Sequence, residues 1–180
     1  MNDCEFKKEI IRAKKGDEAS FNYIIHNIKD DLFRLAKSRL LNDDDAIDAV
    51  QETIISIYYN LKKLRNVQKF KTWALKILIN NCNTIYVKNK KINVLSYENI
   101  ESCSNENIEH NIEINEDIKS AFECLSIDER TIITLFYIEQ YTSKDIANLL
   151  GLNINTVKTK LFRAKEKIKK YSKYDGKEIV

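Results

Sequence analysis

The chain has 180 residues, 43% of them hydrophobic and 32% charged, with a formal net charge of +3. That is enough apolar material for one packed domain or two small ones, and no apolar run approaches the roughly 18 residues of a membrane span. The amino terminus, MNDCEFKKEI, lacks the apolar stretch of a signal peptide, so a cytoplasmic protein without membrane insertion is expected.

Helix breakers are nearly missing: there is no proline, and the only glycines are Gly16, Gly151 and Gly176. Strand-like alternation is not sustained, whereas apolar residues recur at three and four, as in Ile47, Val50, Ile54, Ile57 and Leu61, so the expected fold is all-α. Helices are predicted at about 5–14, 17–40, 43–62 and 68–88, forming one bundle within residues 1–91. Residues 96–117 then carry seven acidic residues and no Lys or Arg, among many Asn and Ser. This reads as an acidic flexible linker, placed at 92–111. Further helices at about 112–125, 127–138, 143–150 and 154–171 make a second, smaller bundle within 112–180.

Cys4, Cys82, Cys103 and Cys124 lie far apart, and His26 and His110 are the only histidines. Neither a zinc site nor any other metal or cofactor is expected, and the thiols read as buried or incidental and reduced. A Gly-rich phosphate loop, an HExxH run and a nucleophile with an obvious base are all missing, which argues against an enzyme and a small-molecule substrate.

The most informative stretch is TSKDIANLLGLNINTVKTKLFRAKEKIKK, from Thr142. Thr142 with Asp145 resembles a capping box, Ile146, Ala147, Leu149 and Leu150 form an apolar face, and Gly151 can take the left-handed conformation at the helix exit. Asn153 can cap the next helix, in which Val157, Leu161, Ala164 and Ile168 face inward at four, three and four. Between Thr156 and Lys173 stand eight basic residues against Glu166 alone, a net of +7. Taken alone, such a run could be only a solvated face. Two capped helices joined at a glycine make it instead a DNA-binding helix-turn-helix, with residues near the start of the second helix reaching base edges in the major groove. Those residues are Thr156, Lys158, Thr159, Phe162 and Arg163, with Lys167 further along the same helix. Phe162 could touch a thymine methyl or pack inward.

The run LSIDERTIITLFYIEQYTSKDIANLLGLNINTVKTKLFRAKEKIKK resembles region 4 of bacterial sigma factors of the extracytoplasmic-function (ECF) group, and DDDAIDAVQETIISIYYNLKKLRNVQKFKTWALKILINNCNTIY resembles their region 2. The pair covers nearly the whole chain in the family's order. The resemblance implies a dissociable RNA polymerase subunit, itself not the catalyst, that reads a minus-35 element with region 4 and a minus-10 element with region 2. The rival reading is a stand-alone helix-turn-helix regulator with an N-terminal dimerisation or sensor bundle.

On the helix from Asp45 to Leu61, the residues Asp48, Gln51, Glu52, Ile55 and Tyr59 share a face that mixes acid and apolar groups. Either Ile55 and Tyr59 widen the core stripe or they meet a partner helix carrying basic residues. The resemblance implies the partner: the β′ clamp coiled coil of core polymerase, with the β flap as a further contact. Further on, Phe70, Trp73, Ile77 and Ile79 flank a basic, amide-rich set suited to unpaired bases. Lys69, Lys71, Thr72, Asn80, Asn83 and Lys88 are the minus-10 candidates, whereas Trp73 is assigned to the core. The acidic linker either lies in a polymerase channel near the template strand or simply stays solvated. An anti-sigma factor is a further partner the resemblance implies.

Overall fold

The computed structural model describes residues 3–96 and 121–174, so the linker at 92–111 and Cys103 lie wholly or largely outside the described residues. Within them the chain is helical, with no strand. The N-terminal half is built from α1 (Asp3–Lys14), α2 (Glu18–Leu40), α3 (Asp43–Asn60) and α4 (Phe70–Ser96). Short 3-10 turns at Leu61–Lys63 and Val67–Lys69 join α3 to α4. The C-terminal half contains α5 (Ile127–Ile133), a π-helical segment Thr134–Ile138, α6 (Ser143–Leu150) and α7 (Ile154–Tyr174).

Local chemistry sets the ends of these helices. The Asp17 carboxylate accepts the Ser20 N–H at the start of α2, and the Asn42 side chain accepts the Asp45 N–H at the start of α3. Ser126 and Glu129 make a full capping box on α5, satisfying two backbone donors that the helix start leaves open. α2 stops at Leu41, a non-glycine residue at φ 57, and Asn42 begins the next helix at once.

The N-terminal core is lined by Ile24, Leu35, Ala49, Ile57, Leu78 and Cys82, all fully buried. Phe70 is buried at the start of α4 and meets the Phe6 ring edge-on at 5.9 Å. On α3 the buried stripe is Ala46, Ala49, Val50, Thr53 and Ile57. Ile47, expected in that stripe, is 37% exposed: it lies a residue away from Ala46 and so about 100° round the helix. Thr53 donates to the Ala49 carbonyl and accepts from Asn81 of α4 at 3.0 Å, and Asn89 of α4 donates to Asp45 at 2.7 Å. These two bonds fix the rotation of α4 against α3.

The two halves do not stand apart. Ile132, Leu135, Ile146 and Val157 of the C-terminal half belong to the same apolar cluster as Ile28, Leu32 and Leu75 of the N-terminal half. The two helical bundles expected from the sequence are present, and α5, the π segment and α6 of the second pack against α2 and α4 of the first. The seam is polar at its edge. Arg34 donates to Glu139 at 3.1 Å and to Asp31 at 2.5 Å, and Arg130 donates to the Arg39 carbonyl at 3.0 Å.

Candidate nucleic-acid and polymerase interfaces

The α6–α7 pair has the geometry its sequence calls for. The Thr142 hydroxyl accepts the Asp145 N–H at 3.2 Å and donates to the Asp145 carboxylate at 2.5 Å. Gly151 sits at φ 66, its N–H bonded to the Ala147 carbonyl. Asn153 then receives the Asn155 N–H on its side chain and the Val157 N–H on its carbonyl, a cap that launches α7 directly from the turn. Val157 and Ala164 are fully buried, and Leu161 and Ile168 pack on the same side.

With that face fixed inward, Thr156, Lys158, Thr159, Phe162 and Arg163 are all exposed. Phe162 points outward, 65% exposed, which removes the inward alternative. Lys167 differs from them. Its ammonium donates to both Glu129 oxygens, at 3.0 and 2.7 Å, and Lys160 donates to Asp128 at 2.8 Å. Burial pushes the Glu129 pKa up, but Lys167 and the Ser126 groups outweigh it and hold the carboxyl below its ordinary value. Part of the basic charge of α7 therefore clamps the helix to α5, while Lys158, Arg163, Lys169 and Lys170 remain on the exposed side.

On α3, Asp48, Gln51, Glu52, Ile55 and Tyr59 are exposed, Tyr59 the most so at 74%. Ile55 and Tyr59 are therefore not an extension of the core. Tyr58, which the sequence reading missed, is also exposed and stacks edge-on with Tyr59 at 5.6 Å and with Phe21 of α2 at 5.1 Å. Its position next to Tyr59 was the available signal. Together they make an aromatic patch on the helix that also carries the acids Asp48 and Glu52.

The minus-10 candidates fall along α4 and the turn before it. Lys69, Asn80, Asn83 and Lys88 are exposed, and Lys71 and Thr72 are half-buried. Lys71 lies 3.7 Å from Asp31. The Asn83 side-chain Oδ1 accepts from Arg39 at 2.6 Å. Trp73 is half-buried, its ring 6.1 Å from that of buried Phe70.

Comparison with known proteins supplies what geometry alone does not. Residues 24–92 match the family described as sigma-70 region 2, and residues 115–168 the family described as sigma-70 region 4. The chain is 36% identical to the RNA polymerase sigma factor SigV of Bacillus subtilis over 154 residues, which span 86% of this chain and 92% of that one. It is 29% identical to the ECF RNA polymerase sigma factor SigW of the same organism, covering 91% and 95%. This chain belongs to the ECF sigma factors. It is a promoter-directing factor for RNA polymerase. Among solved structures, it resembles the sigma factor RpoE of Bartonella quintana, determined with the anti-sigma factor NepR, at a TM-score of 0.71 and 25% identity over 86% of this chain and 98% of that one. The fold is also shared by CnrH, determined with the cytosolic domain of CnrY, at a TM-score of 0.70 and 19% identity over 94% and 97%.

Within the sigma factor, three further features escaped the sequence reading. Tyr137 and Ile138 of the π segment are exposed beside α7, where the Lys165 ammonium lies 5.3 Å from the Tyr137 ring centre. Arg39 is buried in the seam between the halves. Glu139 is half-buried against Arg34. None carries a sequence motif, because each owes its position to a contact more than ninety residues away or to the unusual π turn. Burial pushes the Cys82 thiol up to about 11, as expected of an inert core cysteine.

Proposed function

We propose that this sigma factor holds its promoter at two points and the polymerase at a third, each served by a distinct helix face. Region 4 reads the minus-35 element with Lys158, Thr159, Phe162 and Arg163 in the major groove, Thr156 at the helix start, and Lys169 and Lys170 on flanking phosphates. Phe162 gives the clearest support. A side chain of that size left 65% exposed among cations has no role in the fold, and a thymine methyl is a fitting apolar partner. Lys167, held by Glu129, positions α7 and contributes to the field more than to a direct contact.

Region 2 takes the unpaired minus-10 bases along the turn before α4 and the exposed row Asn80, Asn83 and Lys88, with Lys69 on the backbone and Lys71 and Thr72 beside it. The face bearing Asp48, Gln51, Glu52, Ile55 and Tyr59 docks on the β′ clamp coiled coil of core polymerase, with Tyr58 added to its apolar part, and region 4 meets the β flap. A proteinaceous anti-sigma factor is the expected regulator, since the similar RpoE was determined with one. Residues 1–91, 92–111 and 112–180 are the proposed functional divisions.

Footprinting of the reconstituted holoenzyme tests this reading. Two protected blocks about 25 base pairs apart, with permanganate-reactive thymines in the downstream one, are the expected pattern. Protection of one block by the chain alone, unchanged by polymerase, would mark a stand-alone regulator instead.

A further inference from the structure

The middle of α7 rests on a thin apolar seat. The cluster beneath it holds Leu125, Ile133 and Ala164 as buried residues, with Leu161 and Ile168 only partly covered. An alanine is too short to resist turning about the helix axis, and hydrophobic burial is itself non-directional. The groups that can fix the rotation of α7 stand on its two flanks.

One flank is ionic. Lys160 donates to Asp128 at 2.8 Å and Lys167 donates to Glu129 at 3.0 and 2.7 Å. The two lysines are seven residues apart, and so within about 20° of each other round the helix. Both acids stand in the first turn of α5. The Glu129 side chain is only 8% exposed and also accepts the Ser126 N–H, which makes it a fixed anchor rather than a mobile surface charge. The opposite flank is aromatic. Lys165 lies about 140–160° round from Lys160 and Lys167 at 3.6 residues per turn, and its ammonium stands 5.3 Å from the centre of the Tyr137 ring. Thr159 and Phe162 project between the two flanks, away from the core.

The tolerance for rotation is small. Side chains reach about 5–6 Å from a helix axis, so a turn of about 20° moves their outer atoms by roughly 2 Å. That exceeds the width of the window, about 2.7–3.2 Å, in which a hydrogen bond to a base edge forms. Ion pairs at a surface contribute little to stability, yet two of them on one side and a cation–π contact on the other define an angle that the seat leaves soft.

We propose that Asp128, Glu129 and Tyr137 help determine which minus-35 sequence is preferred, without touching a base. They are positioning residues that set the rotation of α7 through Lys160, Lys167 and Lys165. This rests on the reading of α7 as the base-contacting helix, but not on polymerase.

Selection from random 20-base-pair duplexes by the full-length chain at low salt, with bound and unbound pools sequenced, reads total binding and base preference together. Glu129→Gln keeps the helix cap, since glutamine also serves at that position of a capping box, and removes the ionic hold on Lys167. It should lower the preference ratio about tenfold at one or two adjacent positions while total binding does not weaken. Glu123→Gln, the same charge change at an exposed site, should leave the preference as in the wild type. Asp128→Lys, which sets like charges together, should also lower the ratio, and the double variant D128K/K160E, with the net charge of the wild type, should restore it. Tyr137→Ala should shift the preference, whereas Tyr137→Phe, which keeps the ring face, should not. A variant that merely unfolds would lose circular dichroism and total binding, with the preference of its folded fraction intact. Preferences unchanged in Glu129→Gln and Tyr137→Ala overturn the proposal, as does an equal shift in Glu123→Gln or a loss in Asp128→Lys that the double variant does not recover. A wild type that enriches no sequence would defeat the base-contact reading of α7 and this proposal with it. Failure of the sigma-factor reading would appear elsewhere, as footprints that polymerase does not change.

Discussion

The two faces proposed to meet DNA stand differently in this one fold. The face of α7 that would enter the major groove is complete and exposed, its back fixed by Val157 and Ala164 and its far end by the Lys167–Glu129 pair. The α4 face of region 2 is partly engaged by the chain itself: Asn83 accepts from Arg39, and Lys71 shares Asp31 with Arg34. The face of α3 proposed to dock on polymerase, with Asp48, Glu52 and Tyr59, is as open as α7. A surface that reads duplex can be displayed at all times, because duplex is always present.

The largest test of that contrast is Glu52→Lys, which reverses charge on the proposed docking face. Binding to core polymerase in a competition assay should fall by at least about thirtyfold, as expected when a like charge is forced on a complementary interface, while duplex binding by the same chain should not weaken. Next comes the division of labour on α7. Arg163→Ala should cost about 1–3 kcal/mol of discrimination at one minus-35 position, whereas Lys169→Ala should weaken all duplexes alike and reduce the salt slope by about 0.9. Identical behaviour of the two would erase the distinction between base and phosphate contacts. Gly151→Ala places a side chain at φ 66 and should cost about 1 kcal/mol, seen as a melting point lower by a few degrees.

The smallest effect concerns the clamp on α7. Because the Glu129 carboxyl titrates below its ordinary value, it stabilises the fold above the usual carboxylate range, and that contribution is lost as pH falls through its depressed value. Lys167→Ala should raise the pH at which region 4 unfolds in acid and lower stability at neutral pH by about 1 kcal/mol, since the lysine is itself half-exposed. Its effect on DNA affinity should be smaller than that of Lys158→Ala, by fluorescence anisotropy.

Much of this was legible from local chemistry. Thr142, Gly151 and Asn153 announce the helix pair because caps and left-handed glycines act within a few residues, and the inward stripe of α7 follows from the helical repeat. Tyr59 and Ile55 could be placed on a face, but whether that face was wet depended on which other helices came near. The seam was not legible at all. Nothing local marks Arg39 or Glu139, because their environment comes from elements across the chain, and the π turn that aims Glu139 shifts the register that helical counting assumes. Ile47 failed for a simpler reason: an apolar residue in helical register is not buried when small alanines such as Ala46 and Ala49 occupy the buried side of the helix.

The central claim is that this chain programs polymerase to start at specific sites. Run-off transcription with core polymerase from the host, on a set of that genome's promoters including the one upstream of its own gene, tests it most directly. Discrete transcripts that need the chain, vanish with Glu52→Lys and lose promoter preference with Arg163→Ala are the predicted result. No specific transcript from any of those promoters, with core polymerase active on a control factor, would contradict it.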